Sequence, residues 1–204
     1  MTYASLALGN TPDCVLEKSR MDCHAKNVSS IVVREREDSS LTRMFLAWPG
    51  HNLHSNILGF PCAVGMHDHR YDIRLKGILG TVHNTVYRER ESGSIDSCSM
   101  CKWEYQTGHT TREPTVKLQG RVFLVPVKAN VLTPKEWTDL IASDIHNVHC
   151  AGAAAWWVQE GRVSRTKTRL YTSTPNVSTD GLYTPFENAQ QVRDHVDLFF
   201  KAFG

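Results

Sequence analysis

The chain lacks the features that mark most large functional classes. No apolar run in its 204 residues reaches the roughly 20 residues that span a bilayer. The segment Met1 to Gly9 has no basic stretch and too short an apolar one for a secretory leader, so a cytoplasmic protein is expected. Charge of one sign is missing too. Basic residues number 23 against 21 acidic ones, a net charge of +2, which leaves no nucleic-acid footprint. No glycine-rich phosphate loop, dinucleotide fingerprint or nucleophile elbow occurs, so no motif carries phosphoryl-transfer, dehydrogenase or hydrolase chemistry. Internal repeats and low-complexity segments are likewise absent.

Cysteine is present without a strong pattern. The six residues are Cys14, Cys23, Cys62, Cys98, Cys101 and Cys150, and in a reducing compartment they stay thiols. Cys98-Ser-Met-Cys101 is a lone C-x-x-C pair. A structural zinc site takes four ligands, and only Cys14 and Cys23-His24 could complete one, if the fold brought them close. A hairpin tip carrying two small residues is the expectation. The mixed runs Arg34 to Asp38 and Arg88 to Glu91 read as solvated faces. Arg162, Arg165, Lys167 and Arg169 read as a charged strand edge rather than an anion site.

What is present is a series of strand-like segments. Ile31 to Glu37 and Leu41 to Trp48 flank the turn Asp38-Ser39-Ser40. His67 to Leu75, Gly77 to Arg90, Lys102 to Thr107 and Thr115 to Lys128 follow. Asp144 to Cys150, Ala154 to Gln159 and Thr166 to Ser173 complete the set. Thr133-Pro134-Lys135-Glu136 has the form of a capping box, which predicts a short helix or turn. Residues 1–27 look irregular, and Pro175 to Pro185 is a polar loop. Val192, Val196, Phe199, Phe200 and Phe203 recur at helical spacing, so an amphipathic helix over 187–203 is expected. Many short strands with turns between them predict a β-sandwich or barrel.

The most informative stretch is Gly65-Met66-His67-Asp68-His69-Arg70-Tyr71-Asp72-Ile73. Side chains at i and i+2 of a strand share a face. Read on one strand, His67 and His69 converge on a point where two imidazoles can hold one divalent metal. A late strand, Ile145-His146-Asn147-Val148-His149, offers a third imidazole. His146 and His149 are three apart, so a regular strand sends them to opposite faces and only one of them can join the pair.

With these elements in place the chain resembles the cupin superfamily, whose first motif is G-x₅-H-x-H-x₃,₄-E-x₆-G. Here His67-Asp68-His69 is followed after three residues by Ile73 and after six more by Gly80. The spacing fits, with Ile73 where the motif carries Glu. Residues 60–90 and 140–161 carry the likeness, including the strand Ala155-Trp156-Trp157-Val158-Gln159-Glu160-Gly161. The resemblance implies one cupin-like domain, a double-stranded β-helix (jelly-roll barrel) with its core at about 30–174 and a C-terminal helix. Without the Glu, the ligand set it implies is His67, His69 and His146, with His149 the alternative third. That set is similar to the three-His cupins such as cysteine dioxygenase. Fe²⁺ is the expected ion, with Zn²⁺, Mn²⁺ and Ni²⁺ as alternatives. Three neutral imidazoles leave the full metal charge for a small polar or anionic substrate and for O₂.

The function this implies is a mononuclear non-haem iron dioxygenase. A metal-dependent isomerase or lyase is one alternative, and a non-catalytic module binding a metabolite or nucleotide is the other, because fold does not fix function. The expected partner is a small molecule in the barrel, with no membrane or nucleic acid, and a homodimer is compatible. Tyr71 is the candidate catalytic residue, orienting substrate or metal-bound water. A core tyrosine with a satisfied hydroxyl is the competing reading. Asp72 is expected to face outward. His51, His54 and His83 read as loop or wall histidines. Cys62 and Cys150 read as small core residues, and only one of Trp156 and Trp157 should face the cavity.

Overall fold

The computed structural model describes residues 8–52, 62–95, 97–106, 115–175 and 183–204. In chain order the elements are α1 (Asp13–Leu16), β1 (Arg20–Met21), β2 (Lys26–Glu35), β3 (Leu41–Asn52), β4 (Cys62–His67), β5 (Tyr71–Leu79) and β6 (Val82–Arg90). They continue with β7 (Cys98–Gln106), β8 (Thr115–Leu132), β9 (Thr138–Leu140), β10 (Ile145–Cys150), β11 (Ala154–Val163), β12 (Thr168–Thr172), β13 (Thr184–Pro185) and α2 (Ala189–Phe203).

The strands form a seven-stranded sheet, β13-β1-β2-β3-β11-β5-β9, and a closed six-stranded barrel, β10-β4-β12-β7-β8-β6. From β3 the chain steps back and forth between the two. The run β3-β4-β5-β6 is matched by β9-β10-β11-β12, through the antiparallel pairs β3·β11, β4·β10, β4·β12, β5·β9, β5·β11 and β6·β10. Two strand runs wound antiparallel about each other make the expected cupin-like double-stranded β-helix, mainly β, with the helix at its C-terminal end.

Side-chain alternation sets three apolar clusters. Between the sheets lie Phe45, Val64, Ile73, Leu75, Val148, Trp156 and Val158. Inside the barrel lie Met66, Tyr87, Met100, Leu124, Ile145 and Tyr171. On the outer face of the seven-stranded sheet, α2 buries Val192, Val196, Phe199 and Phe200 against Ile31, Met44, Leu46 and Ala155. Each such side chain contributes about 1.5–3 kcal/mol. Asn188 caps α2, accepting from Gln191 N at 2.9 Å. Trp156 joins the inter-sheet cluster and Trp157 the helix-facing one, as alternation requires.

Several local expectations need correction. Residues 67–75 are not one strand: His67 ends β4 in the barrel and Tyr71 begins β5 in the other sheet. Gly80, with φ +71°, turns the chain between β5 and β6, so the strand read from Gly77 is two strands. Thr133 to Glu136 forms no helix. Gly77 N donates to Thr133 O at 3.2 Å, and a Cβ at Gly77 would meet Leu132 O at 2.4 Å, so this backbone is pinned against β5. Cys98 and Cys101 are not a hairpin tip but lie within β7, Cys101 buried and accepting from Arg121 Nη1 at 3.4 Å. Most of the loop at 175–185 falls outside the described residues. Among those described, no helix is long and apolar enough to cross a membrane.

Candidate metal centre and cavity

Two strand ends and one sheet-to-sheet corner build the site. His67 and His146 are cross-strand partners on β4 and β10, so their side chains share the inter-sheet face. His69 comes from the corner 68–70, where the chain leaves the barrel for the other sheet. Asp68 holds that corner. Its carboxylate, 1% exposed, accepts from Arg169 N at 2.5 Å, Arg169 Nε at 2.7 Å and Arg165 Nη1 at 2.6 Å. Asp68 N donates to Arg169 O and His69 N to Ala142 O. The basic run read as a solvated edge is therefore largely committed: Arg165 and Arg169 neutralise Asp68, and Lys167 pairs with Glu104.

The ligating atoms of His67, His69 and His146 lie within 4.8 Å of one another, the one such group of three among the described residues. His69 Nε2 and His146 Nε2 are 2.9 Å apart. His67 Nδ1 donates to Gly65 O at 2.8 Å, and His146 Nδ1 donates to Asn84 Oδ1 at 2.7 Å. Each bond leaves an Nε2 lone pair on the cavity side, the tautomer a metal ligand needs. Burial lowers the basicity of all three imidazoles, most strongly at His69 and His146, and each neighbouring imidazole adds to the effect there. They are neutral donors at pH 7. The donor set fits a divalent ion. At 2.9 Å His69 Nε2–H donates to His146 Nε2, so His69 must carry its proton on Nδ1 when it ligates.

His149 lies apart from this group. It faces His83, its cross-strand partner on β6, the rings 4.8 Å apart and 4° from parallel. Ile73 is 2% exposed and lines the cavity wall, offering no donor. Asp72 turns away and accepts from Ala142 N at 2.7 Å. All of His54 and the side chains of His51 and Cys62 fall outside the described residues. Cys150 is buried in the inter-sheet core, and Cys14 is exposed.

The triad opens into a cavity of about 350 Å³. Its walls carry groups that sequence reading did not assign. Glu160, 6% exposed, accepts from Arg43 Nε at 2.8 Å, Tyr71 Oη at 3.0 Å and Leu41 N at 3.1 Å. Tyr71 thus lines the cavity with its hydroxyl already donating. Burial first, then the Glu160 carboxylate, push its phenol up, so it stays protonated. His24 stacks on His67 at 5.4 Å, and burial lowers its pKa to about 3. Its Nδ1 is 3.3 Å from Tyr183 Oη, and both residues have positive φ, 67° and 57°. For Glu160 a signal existed: alternation from Trp156 and Val158 places it on the inward face. His24 and Tyr183 sit in irregular backbone and gave none.

No family model matches the sequence, and no curated protein matches it. Among solved structures, the chain is similar to hydroquinone 1,2-dioxygenase from Sphingomonas sp. TTNP3 with 4-hydroxybenzoate bound, at 9% identity and TM-score 0.39, over 80% of this chain and 75% of that one. It is also similar to the hydroquinone 1,2-dioxygenase PnpCD in complex with Cd²⁺ and 4-hydroxybenzonitrile, at 11% identity and TM-score 0.36, over 80% and 74%. Neither superposition is close enough to bear on fold or function, which rest on the geometry above.

Proposed function

We propose that His67, His69 and His146 hold one divalent metal ion, Fe²⁺ first among the candidates, and that the protein is a mononuclear non-haem dioxygenase acting on a small molecule in the adjoining cavity. The observation that carries this reading is the cluster of three imidazoles whose ligating atoms lie within 4.8 Å of one another. An ion held there would supply Lewis-acid and redox chemistry beside the cavity. The chain's own residues do the rest. Gly65 O and Asn84 Oδ1 fix the tautomers of His67 and His146. The Asp68 network fixes the corner that carries His69. Tyr71, its hydroxyl hydrogen donated in a hydrogen bond to Glu160, keeps oxygen lone pairs to orient a substrate hydroxyl or water.

Metal analysis of protein purified without oxygen tests the ligand set. Wild-type protein should carry about one ion per chain, His67→Ala, His69→Ala and His146→Ala should each lose it, and His149→Ala should keep it. Full occupancy in the three ligand variants would sink the proposal. Oxygen uptake should follow iron loading and not zinc loading.

A further inference from the structure

The cavity beside the triad is unbalanced in charge. Its lining includes three permanent cations, Lys18, Arg20 and Arg43, and one carboxylate, Glu160. Arg43 is neutralised by Glu160 at 2.8 Å. Lys18 is neutralised by Glu35 at 2.5 Å. Arg20 has no carboxylate partner among the described residues. Its Nη1 donates to two backbone carbonyls, Ser19 O at 2.7 Å and Glu17 O at 3.0 Å. These bonds orient the guanidinium, while its Nε and Nη2 have no acceptor among the described residues. An oriented guanidinium with donors to spare is shaped for a planar anion. The walls between are apolar: Phe45 and Trp156, stacked at 5.3 Å and 9° from parallel, with Val64, Leu75, Val148 and Val158. A volume of about 350 Å³ suits a small organic molecule.

We propose that the cavity takes a small organic anion, a carboxylate on an apolar body, and that Arg20 holds its charged end while the body packs on Phe45 and Trp156. The assignment of Arg20 rests on the reading above only in taking the three-histidine end as the reactive one. Glu160 offers an incoming carboxylate no donor, which leaves the Arg20 guanidinium as the uncommitted donor group of the lining.

The test uses the full chain loaded with Co²⁺ and two pairs of probes, hexanoate against hexanamide and benzoate against benzamide, with dissociation constants from calorimetry. Wild-type protein should bind each acid about ten- to a hundredfold more tightly than its amide, the range for a charge-assisted bond. Arg20→Gln should abolish that preference, and Arg20→Lys should retain part of it. The Co²⁺ absorption bands should be unchanged in both variants, which shows that fold and metal site are intact. Equal binding of acid and amide, no saturable binding of either acid, or a preference that survives Arg20→Gln overturns the proposal. The metal reading fails separately: if wild-type protein takes up no Co²⁺ yet keeps an acid preference that Arg20→Gln removes, the anion subsite stands and the three-histidine metal site does not.

Discussion

Asn84 offers the sharpest test of how the triad is prepared. It is fully buried on β6, is not itself a candidate ligand, and accepts from His146 Nδ1 at 2.7 Å. Its Nδ2 has no hydrogen-bond partner among the described residues, so the bond to His146 holds the side chain at some desolvation cost. In Asn84→Ala that acceptor is gone. His146 can then place its proton on Nε2, 2.9 Å from His69 Nε2, which removes the lone pair a metal needs. Loss of an outer hydrogen-bond partner of this kind lowers metal affinity about 10- to 100-fold, or about 1.4–2.7 kcal/mol. The fold should lose about 1–3 kcal/mol from the unsatisfied imidazole N–H. Competition titration of Co²⁺ against a chelator measures the first, and urea unfolding of the metal-free protein the second. Asn84→Asp restores an acceptor and should recover most of the affinity. Unchanged affinity in Asn84→Ala would refute the reasoning, because the tautomer would then not depend on this residue.

Three further outcomes follow from the same geometry. Ile73→Glu places a second carboxylate opposite Glu160, its cross-strand partner, so the metal-free protein should lose about 3 kcal/mol or more while Mn²⁺ restores much of it; thermal melts with and without Mn²⁺ decide, and destabilisation that Mn²⁺ leaves untouched counts against a metal within reach. Cys98→Ser should be nearly silent and Cys101→Ser should cost about 1 kcal/mol, because only Cys101 is buried, with metal content constant in both; loss of a bound zinc would show a structural site. His195, which accepts from Ser29 Oγ at 2.9 Å and Trp48 Nε1 at 3.2 Å, is lowered by burial from 6.5 to about 4. The folded state therefore binds fewer protons than the unfolded one, its contribution is complete above pH 6.5 and is lost as pH falls toward 4, and His195→Gln should flatten that part of the stability profile.

The sequence carried the parts of this site that are local and left dark the parts that are assembled. His67, His69 and His146 were legible because imidazoles at that spacing are unusual among apolar strand residues. The geometric reason was only partly right. Strand alternation does not bring His67 and His69 together; the corner at Asp68 does, and it works because Arg165 and Arg169 return from some 100 residues downstream to hold a buried carboxylate. A basic run read in isolation as a solvated edge gave no sign of that partnership. The same blindness covers Arg20, His24, Arg43 and Asn84. Each belongs to a different turn or strand, and each acquires a role only through pairings that no short window contains.

That division bears on what the site can do. In the proposed reading the local part, the histidines, accounts for a metal and says little about a substrate. Discrimination lies in the assembled part: the Glu160 carboxylate that takes up Arg43 and Tyr71, and the guanidinium of Arg20 that is left over. Glu160→Gln would leave Arg43 without its counter-charge while the amide oxygen can still accept from Tyr71. It should therefore strengthen and broaden anion binding while leaving the histidine geometry alone. With Lys18 held by Glu35 and Arg43 by Glu160, the Glu160 pairing decides whether the cavity presents one uncommitted guanidinium or two, and acid-against-amide binding in Glu160→Gln measures that difference.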